Sequence, residues 1–197
     1  MRPIALAFTA FLVASPLCPA AEPPAPAPPA ASAMKKLDWL VGEWEGEGWM
    51  QLGPGDKRTF RSQELVESRL DGTVLIVEGK HYGKPVATVQ SKEAPPAAPE
   101  VLVHHALAVV SWDPRAERFR FLSHLADGRY VAAEGKLRDD GSFEWGFKEP
   151  ERGVTVRYVI RRNDKGQWSE VGEFSRDGVT FVKNFEMTLS KKGAARA

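Results

Sequence analysis

The 197-residue chain contains one cysteine, Cys18. That excludes an internal disulfide framework and any cysteine-built metal cluster. Long apolar runs are almost as scarce: residues 4–17 form one, and nothing after it is long enough to cross a bilayer. An excess of either charge is missing too. Twenty-seven Lys and Arg stand against 26 Asp and Glu, a net charge of +1, so neither nucleic acid nor an anionic membrane is an expected partner. Histidine occurs four times. His104 and His105 are adjacent and project to opposite faces of any strand that carries them. No His/Cys/Asp cluster with ligand spacing, no Gly-x-Ser-x-Gly elbow and no phosphate-cradling glycine loop occurs. No cofactor, metal or catalytic residue is therefore legible, and an enzymatic role has no motif in its support.

The one apolar run has a function of its own. Met1-Arg2 precedes it and small residues follow at Ala20 and Ala21. Residues 1–21 read as a cleaved signal peptide and imply a periplasmic or secreted protein. Lipid anchoring through Cys18 is the less favoured reading, because Pro16 and Leu17 stand where a lipobox has small residues. Residues 22–33 are nearly all Pro, Ala and Ser, a composition unable to bury a core, and read as a disordered linker. Residues 34–191 then form one domain, with 192–197 a disordered tail. No integral membrane association is expected.

Within 34–191 the periodicity is two throughout. A short apolar helical turn at 37–41 leads into Gly42-Glu43-Trp44-Glu45-Gly46-Glu47-Gly48. Strands are expected at 42–50, 60–70, 73–82, 104–112, 119–125, 130–137, 143–147, 154–160, 168–175 and 181–189. The connections carry turn signals, among them Asp71-Gly72, Asp113-Pro114, Asp127-Gly128, Asp140-Gly141 and Asp177-Gly178. The stretch 83–100, rich in Pro and Ala, reads as a surface loop, with room for an extended piece at 86–90. Ten strands without long crossovers predict an all-β fold, a single up-and-down antiparallel β-barrel; closure removes the exposed edges. A two-sheet sandwich is the competing architecture.

Several residues stand out on the expected inner faces. Gly42, Gly46 and Gly48 remove bulk from the face that carries Trp44, which either lets the strand curve or leaves interior volume. Lys183 sits between Phe181 and Phe185 on an apolar face, and a cation laid across Trp44 would account for it. Aromatic rings recur at Phe60, Phe119, Phe121, Phe143, Trp145, Phe147, Tyr158, Trp168 and Phe174; they form either a packed core or the walls of a cavity. Glu64, Ser123 and Glu170 are polar on the same faces, and a buried carboxyl at Glu64 requires a partner. The candidate ligand-lining set is Trp44, Glu64, Phe119, Phe121, Ser123, Trp145 and Tyr158.

Residues 37–48, together with 105–114 and Arg118-Phe119-Arg120-Phe121, resemble a bacterial lipocalin-like (calycin) domain family, and the likeness spans nearly the whole domain. It implies a Gly-x-Trp tryptophan beneath a basic residue from the last strand, which would match Trp44 and Lys183. Gly42, Trp44, Gly46 and Gly48 also resemble the opening signature of nitrobindin-type haem barrels. Those bind iron through a histidine late in the chain, whereas this sequence has none after His124, and Trp49 and Met50 depart from the signature. The expected function is a binding protein for a small apolar ligand held in the barrel without chemical change. A haem barrel, a barrel-hosted lyase or isomerase with Glu64 and Glu170 as its acid–base groups, and an envelope interaction module with a filled core are the alternatives.

Overall fold

A computed structural model describes residues 29–85 and 99–193. The expected signal segment, most of the 22–33 tract, the extended piece at 86–90 and residues 194–197 lie outside those described. The chain enters through a short helix α1 (Ala30–Met34) and a 3-10 turn (Lys35–Leu40). Ten strands follow: β1 (Gly42–Gly53), β2 (Asp56–Arg69), β3 (Val74–Gly83), β4 (Val101–Asp113) and β5 (Arg118–Leu125), then β6 (Tyr130–Leu137), β7 (Phe143–Glu149), β8 (Val154–Arg162), β9 (Trp168–Ser175) and β10 (Val182–Lys191). Each pairs antiparallel with its neighbours in sequence, and β1 pairs with β10, so the sheet closes into an up-and-down barrel without a free edge. The sandwich alternative is thereby excluded. Strand β2 shows the alternation clearly: Phe60, Ser62, Glu64 and Val66 are buried, whereas Arg61, Gln63 and Leu65 face outward.

The tight connections work as their residues require. Between β2 and β3 the chain reverses through Leu70, Asp71 and Gly72, all at positive φ. The conformation costs a glycine nothing and an aspartate little, and it leaves Leu70 strained and 73 % exposed.

One end of the barrel is closed. Met34, Leu37 and Leu40 from the entering turn are buried against it. Trp44 meets the rings of Trp39 and Trp168 edge-on, with centroids 6.2 and 5.9 Å away, and its indole N–H donates to the Leu40 carbonyl at 2.6 Å. Phe119 lies edge-on between Trp112 and Phe143, at 4.9 and 5.3 Å. Such pairs add about 0.5–1.5 kcal/mol each beyond their burial.

The cation over Trp44 is Lys191, whose Nζ lies 5.4 Å from the ring centroid, and not Lys183. A bulge between Lys183 and Phe185 inserts Asn184 and shifts the phase of β10 by one residue. Phe185, Met187 and Leu189 therefore face inward, while Lys183 faces out, near Trp49 and paired with Glu186 at 3.0 Å. Phe181, before the bulge, lies outside under the Arg157 guanidinium. Strict alternation cannot see an extra residue of this kind.

The glycines of β1 do not leave room for a ligand either. A Cβ on Gly46 would strike the Thr188 carbonyl, and one on Gly48 would meet the Phe60 ring and the β10 backbone at 2.5–2.7 Å. Both serve the close approach of β1 to its neighbours.

Candidate ligand-binding cavity

Towards the other end the inward faces do not meet. They enclose a cavity of about 1490 Å³. Its boundary includes residues of the 53–55, 129–132 and 147–154 segments, which places the mouth opposite the tryptophan floor.

One wall is a file of rings. Phe121 from β5 stacks on Trp145 from β7 at 4.0 Å and 7°, and Trp145 stacks on Tyr158 from β8 at 4.4 Å and 12°. Strand β6 lies between β5 and β7, and the file can close across it because Ala133 stands opposite Phe121 and Gly135 opposite Trp145. Tyr158 in turn lies over Gly172 of β9, where a Cβ would come within 2.7 Å of its ring. On the facing wall Phe60 stacks on His81 at 4.4 Å and on Phe185 at 5.6 Å. Phe185 reaches Tyr158 edge-on at 5.6 Å and joins the two walls.

Two carboxyl groups are set into this aromatic surface. Glu64 on β2 is 7 % exposed; its Oε1 accepts from Ser62 Oγ at 3.1 Å and lies 3.2 Å from His81 Nε2. Its Oε2 rests over Gly79 of β3, within 2.6 Å of where a Cβ would stand, so the glycine makes the space for the carboxyl. Glu170 on β9 is 6 % exposed, and its Oε2 accepts from the Trp168 indole at 3.2 Å. Burial pushes Glu64 up to about 8, against the opposing Ser62 hydrogen bond. Burial likewise pushes Glu170 up to about 8, and the Glu64 charge adds to the effect. His81 and His104 are lowered to about 4, both chiefly by burial; their rings are 4.9 Å apart. Near neutral pH these shifts favour the uncharged form of all four groups. Burial also raises the Tyr158 phenol to about 12. The Trp145 indole N–H sits close enough to Glu170 to favour its charged form, yet it completes no hydrogen bond and is enclosed.

Of the seven residues expected at a binding site, Glu64, Phe121, Ser123, Trp145 and Tyr158 border the cavity. Trp44 and Phe119 do not; they are 3 % and 2 % exposed in the floor beneath it. His81 and His104 were not among the seven, although both border the cavity. The signal for His81 lies in β3, where Leu75, Val77, Gly79 and His81 hold one alternating face. Among the described residues no group of three or more His, Cys, Asp or Glu side chains could hold a metal ion. For haem, the fit is poor at His81, whose Nε2 is engaged by Glu64 and whose ring is held against Phe60. His104 is the interior imidazole without a hydrogen bond among the described residues. No helix among them is long and apolar enough to cross a membrane.

No protein-family model and no curated protein matches the chain. Solved structures do. The chain is similar to Rv2717c from M. tuberculosis at 12 % identity and a TM-score of 0.58, over 83 % of this chain and 99 % of that one. It is also similar to the S-type phycobiliprotein lyase CPES from Guillardia theta at 8 % identity and a TM-score of 0.52, over 83 % and 94 %. The fold is a calycin-like β-barrel. At such identities the likeness extends to the architecture alone.

Proposed function

We propose that this barrel binds a small molecule with a flat or aromatic apolar body and holds it between the Phe121–Trp145–Tyr158 file and the Phe60–Phe185 wall. The observation that carries this reading is the 1490 Å³ cavity itself, which is lined by rings and not filled by them. A side-chain-filled core would have supported a scaffold role. Secretion or export to the periplasm belongs to the same proposal and rests on residues 1–21; N-terminal sequencing of the mature protein from its own host tests it.

The direct test is titration with a panel of aromatic and fatty-acid-like compounds, followed by tryptophan fluorescence. Saturable quenching through Trp145 is expected, and Ala106→Phe, which fills the cavity from β4, abolishes it. A panel without a saturable binder, or quenching indifferent to that substitution, overturns the proposal.

A lyase or isomerase activity is the second reading, favoured by one observation: Glu64, His81 and Glu170 border a single cavity. A carboxylic acid kept protonated near neutrality can give a proton to a bound ligand. One of the structural neighbours is named as a lyase, though the shared fold alone does not transfer its chemistry. Mass spectrometry of a ligand recovered after incubation separates the readings. An unchanged compound supports carriage; a product formed by the native protein and not by Glu170→Gln supports catalysis.

A further inference from the structure

We propose that the two interior carboxyls, Glu64 and Glu170, seat a protonated amine carried by the aromatic or apolar ligand. This rests on the cavity-binding function above and names the ligand's polar end.

The geometry leaves both carboxyls incomplete. Each has one hydrogen-bonded oxygen and one, Glu64 Oε2 and Glu170 Oε1, with no hydrogen bond among the described residues. Both side chains are more than nine-tenths buried and both border the cavity. Among the described residues no lysine or arginine forms an ion pair with either. The groups around them are of the wrong kind to neutralise a carboxylate. Strand β2 offers the Ser62 hydroxyl, β3 and β4 the neutral imidazoles of His81 and His104, and β5 the Ser123 hydroxyl. The Tyr158 phenol comes from β8, and the indoles of Trp145 and Trp168 from β7 and β9. Strands β1 and β6 give nothing ionisable at that depth, and Lys183 of β10, which borders the cavity near its mouth, is paired with Glu186. A cation is the element this arrangement lacks.

The walls suit a cation as well. Faces and edges of Trp145, Tyr158, Phe60 and Phe185 surround the cavity, and an ammonium is attracted to such rings, most strongly when desolvated. The enclosed Trp145 N–H supplies a further argument. It completes no hydrogen bond, and a charged Glu170 beside it would be a stronger acceptor than a neutral one. The mouth is mixed in charge: Arg58 pairs with Asp56, Arg129 with Asp127 and Arg152 with Glu149, while Lys84, Lys148 and Arg176 form no ion pair among the described residues. An anionic ligand end therefore has its own place to bind, and the test must separate the two.

Charge balance gives the proposal a number. The ammonium enters with one positive charge; one of the two carboxylic acids gives its proton to the buffer and remains as carboxylate, so the site stays neutral. Isothermal titration calorimetry in buffers of different ionisation enthalpy reads that proton directly. Three probes that share one body are needed: 2-naphthylethylammonium, 2-naphthylethanol and 2-naphthylacetate.

The expected result at pH 7 is at least tenfold tighter binding of the amine than of the alcohol or the acid, with about one proton released for the amine and none for the alcohol. Release of one proton makes amine affinity rise up to about tenfold per pH unit between pH 6 and 8. Glu64→Gln and Glu170→Gln each reduce the preference for amine over alcohol, and circular dichroism shows that each variant folds. Equal binding of the three probes, or a preference for the acid, overturns the amine assignment and leaves the cavity function standing. An amine preference unchanged in both variants overturns it too. Failure of all three to bind the native protein overturns the cavity function and this inference together.

Discussion

The two halves of the barrel are made of the same residue types and do opposite things. Towards the closed end, Trp44, Trp168, Phe119 and Phe143 meet edge to face, are 2–3 % exposed and leave no space between them. Towards the mouth, Phe121, Trp145 and Tyr158 stack face to face against one wall and Phe60 and Phe185 against the other, with the cavity between them. Edge-to-face rings reach across a barrel and fill it. Stacked rings lie along its wall and save space. Aromatic content alone therefore does not distinguish a core from a cavity; how the rings are arranged, and what stands opposite them, does.

Substitution of one phenylalanine from each half breaks this comparison most sharply. Phe119→Ala empties a filled site in the floor and is expected to cost about 3–5 kcal/mol in denaturant unfolding. Phe147→Ala borders existing space and is expected to cost about 1 kcal/mol or less, since little new cavity is created. Similar losses at both positions would mean that the mouth half is packed like the floor.

A second difference between the halves is electrostatic. From about pH 4.5 to 8, Glu64 and Glu170 are protonated in the fold and ionised in the unfolded chain, so the fold binds the extra protons and loses stability as pH rises. His81 and His104 are neutral in the fold and protonated in the unfolded chain between about 4 and 6.5, and they act the other way. The two pairs offset each other up to about pH 6.5, above which the carboxyls act alone. Between pH 6.5 and 8 the ligand-free protein is expected to lose stability at up to about 1.4 kcal/mol per pH unit for each carboxyl. In Glu170→Gln that slope is shallower. A native slope of zero over that interval, followed by chemical denaturation, would show that the carboxyls are not held protonated.

Gly79→Ala acts on the mouth half alone. The new methyl group stands where the Glu64 carboxyl rests, and the carboxyl must leave Ser62 and His81 or the strands must part. The expected cost is about 1–3 kcal/mol, with the His81 ring resonances displaced in NMR as the Glu64 carboxyl leaves its Nε2. Unchanged His81 resonances would show that Glu64 does not occupy that space. The smallest effect belongs to the floor. Lys191→Met should cost about 0.5–1 kcal/mol through loss of the cation over Trp44, whereas the equivalent change at Lys183 removes only surface contacts to Glu186 and Trp49 and leaves the Trp44 environment unchanged.

That last pair marks where sequence reasoning stops. All ten strands, their antiparallel order and most turns follow from period-two alternation and from the Asp-Gly and Asp-Pro connections, because both signals are local. Lys183 was placed on the wrong face because the bulge at Asn184 is set by pairing with β9, not by any residue at the site. The cavity was legible only as one of two outcomes. Whether rings fill a barrel depends on what stands opposite them, and here Ala133, Gly135 and Gly172 on neighbouring strands decide it. Glu64 and Glu170 were visible as polar residues on apolar faces. Their shared environment was not, because they are 106 residues apart, on strands that never pair. His81 escaped notice for a simpler reason: it stands near a turn, and its inward phase shows only when the whole of β3 is counted from Leu75.

The measurement that tests the central claim most directly is the set of tryptophan indole N–H resonances in an NMR titration with 2-naphthylethylammonium. If the mouth half receives a guest and the floor does not, the Trp145 signal moves and saturates while those of Trp44 and Trp112, which do not border the cavity, move far less. A titration that leaves Trp145 in place, or shifts only residues on the outer surface, would contradict a barrel built to hold a ligand.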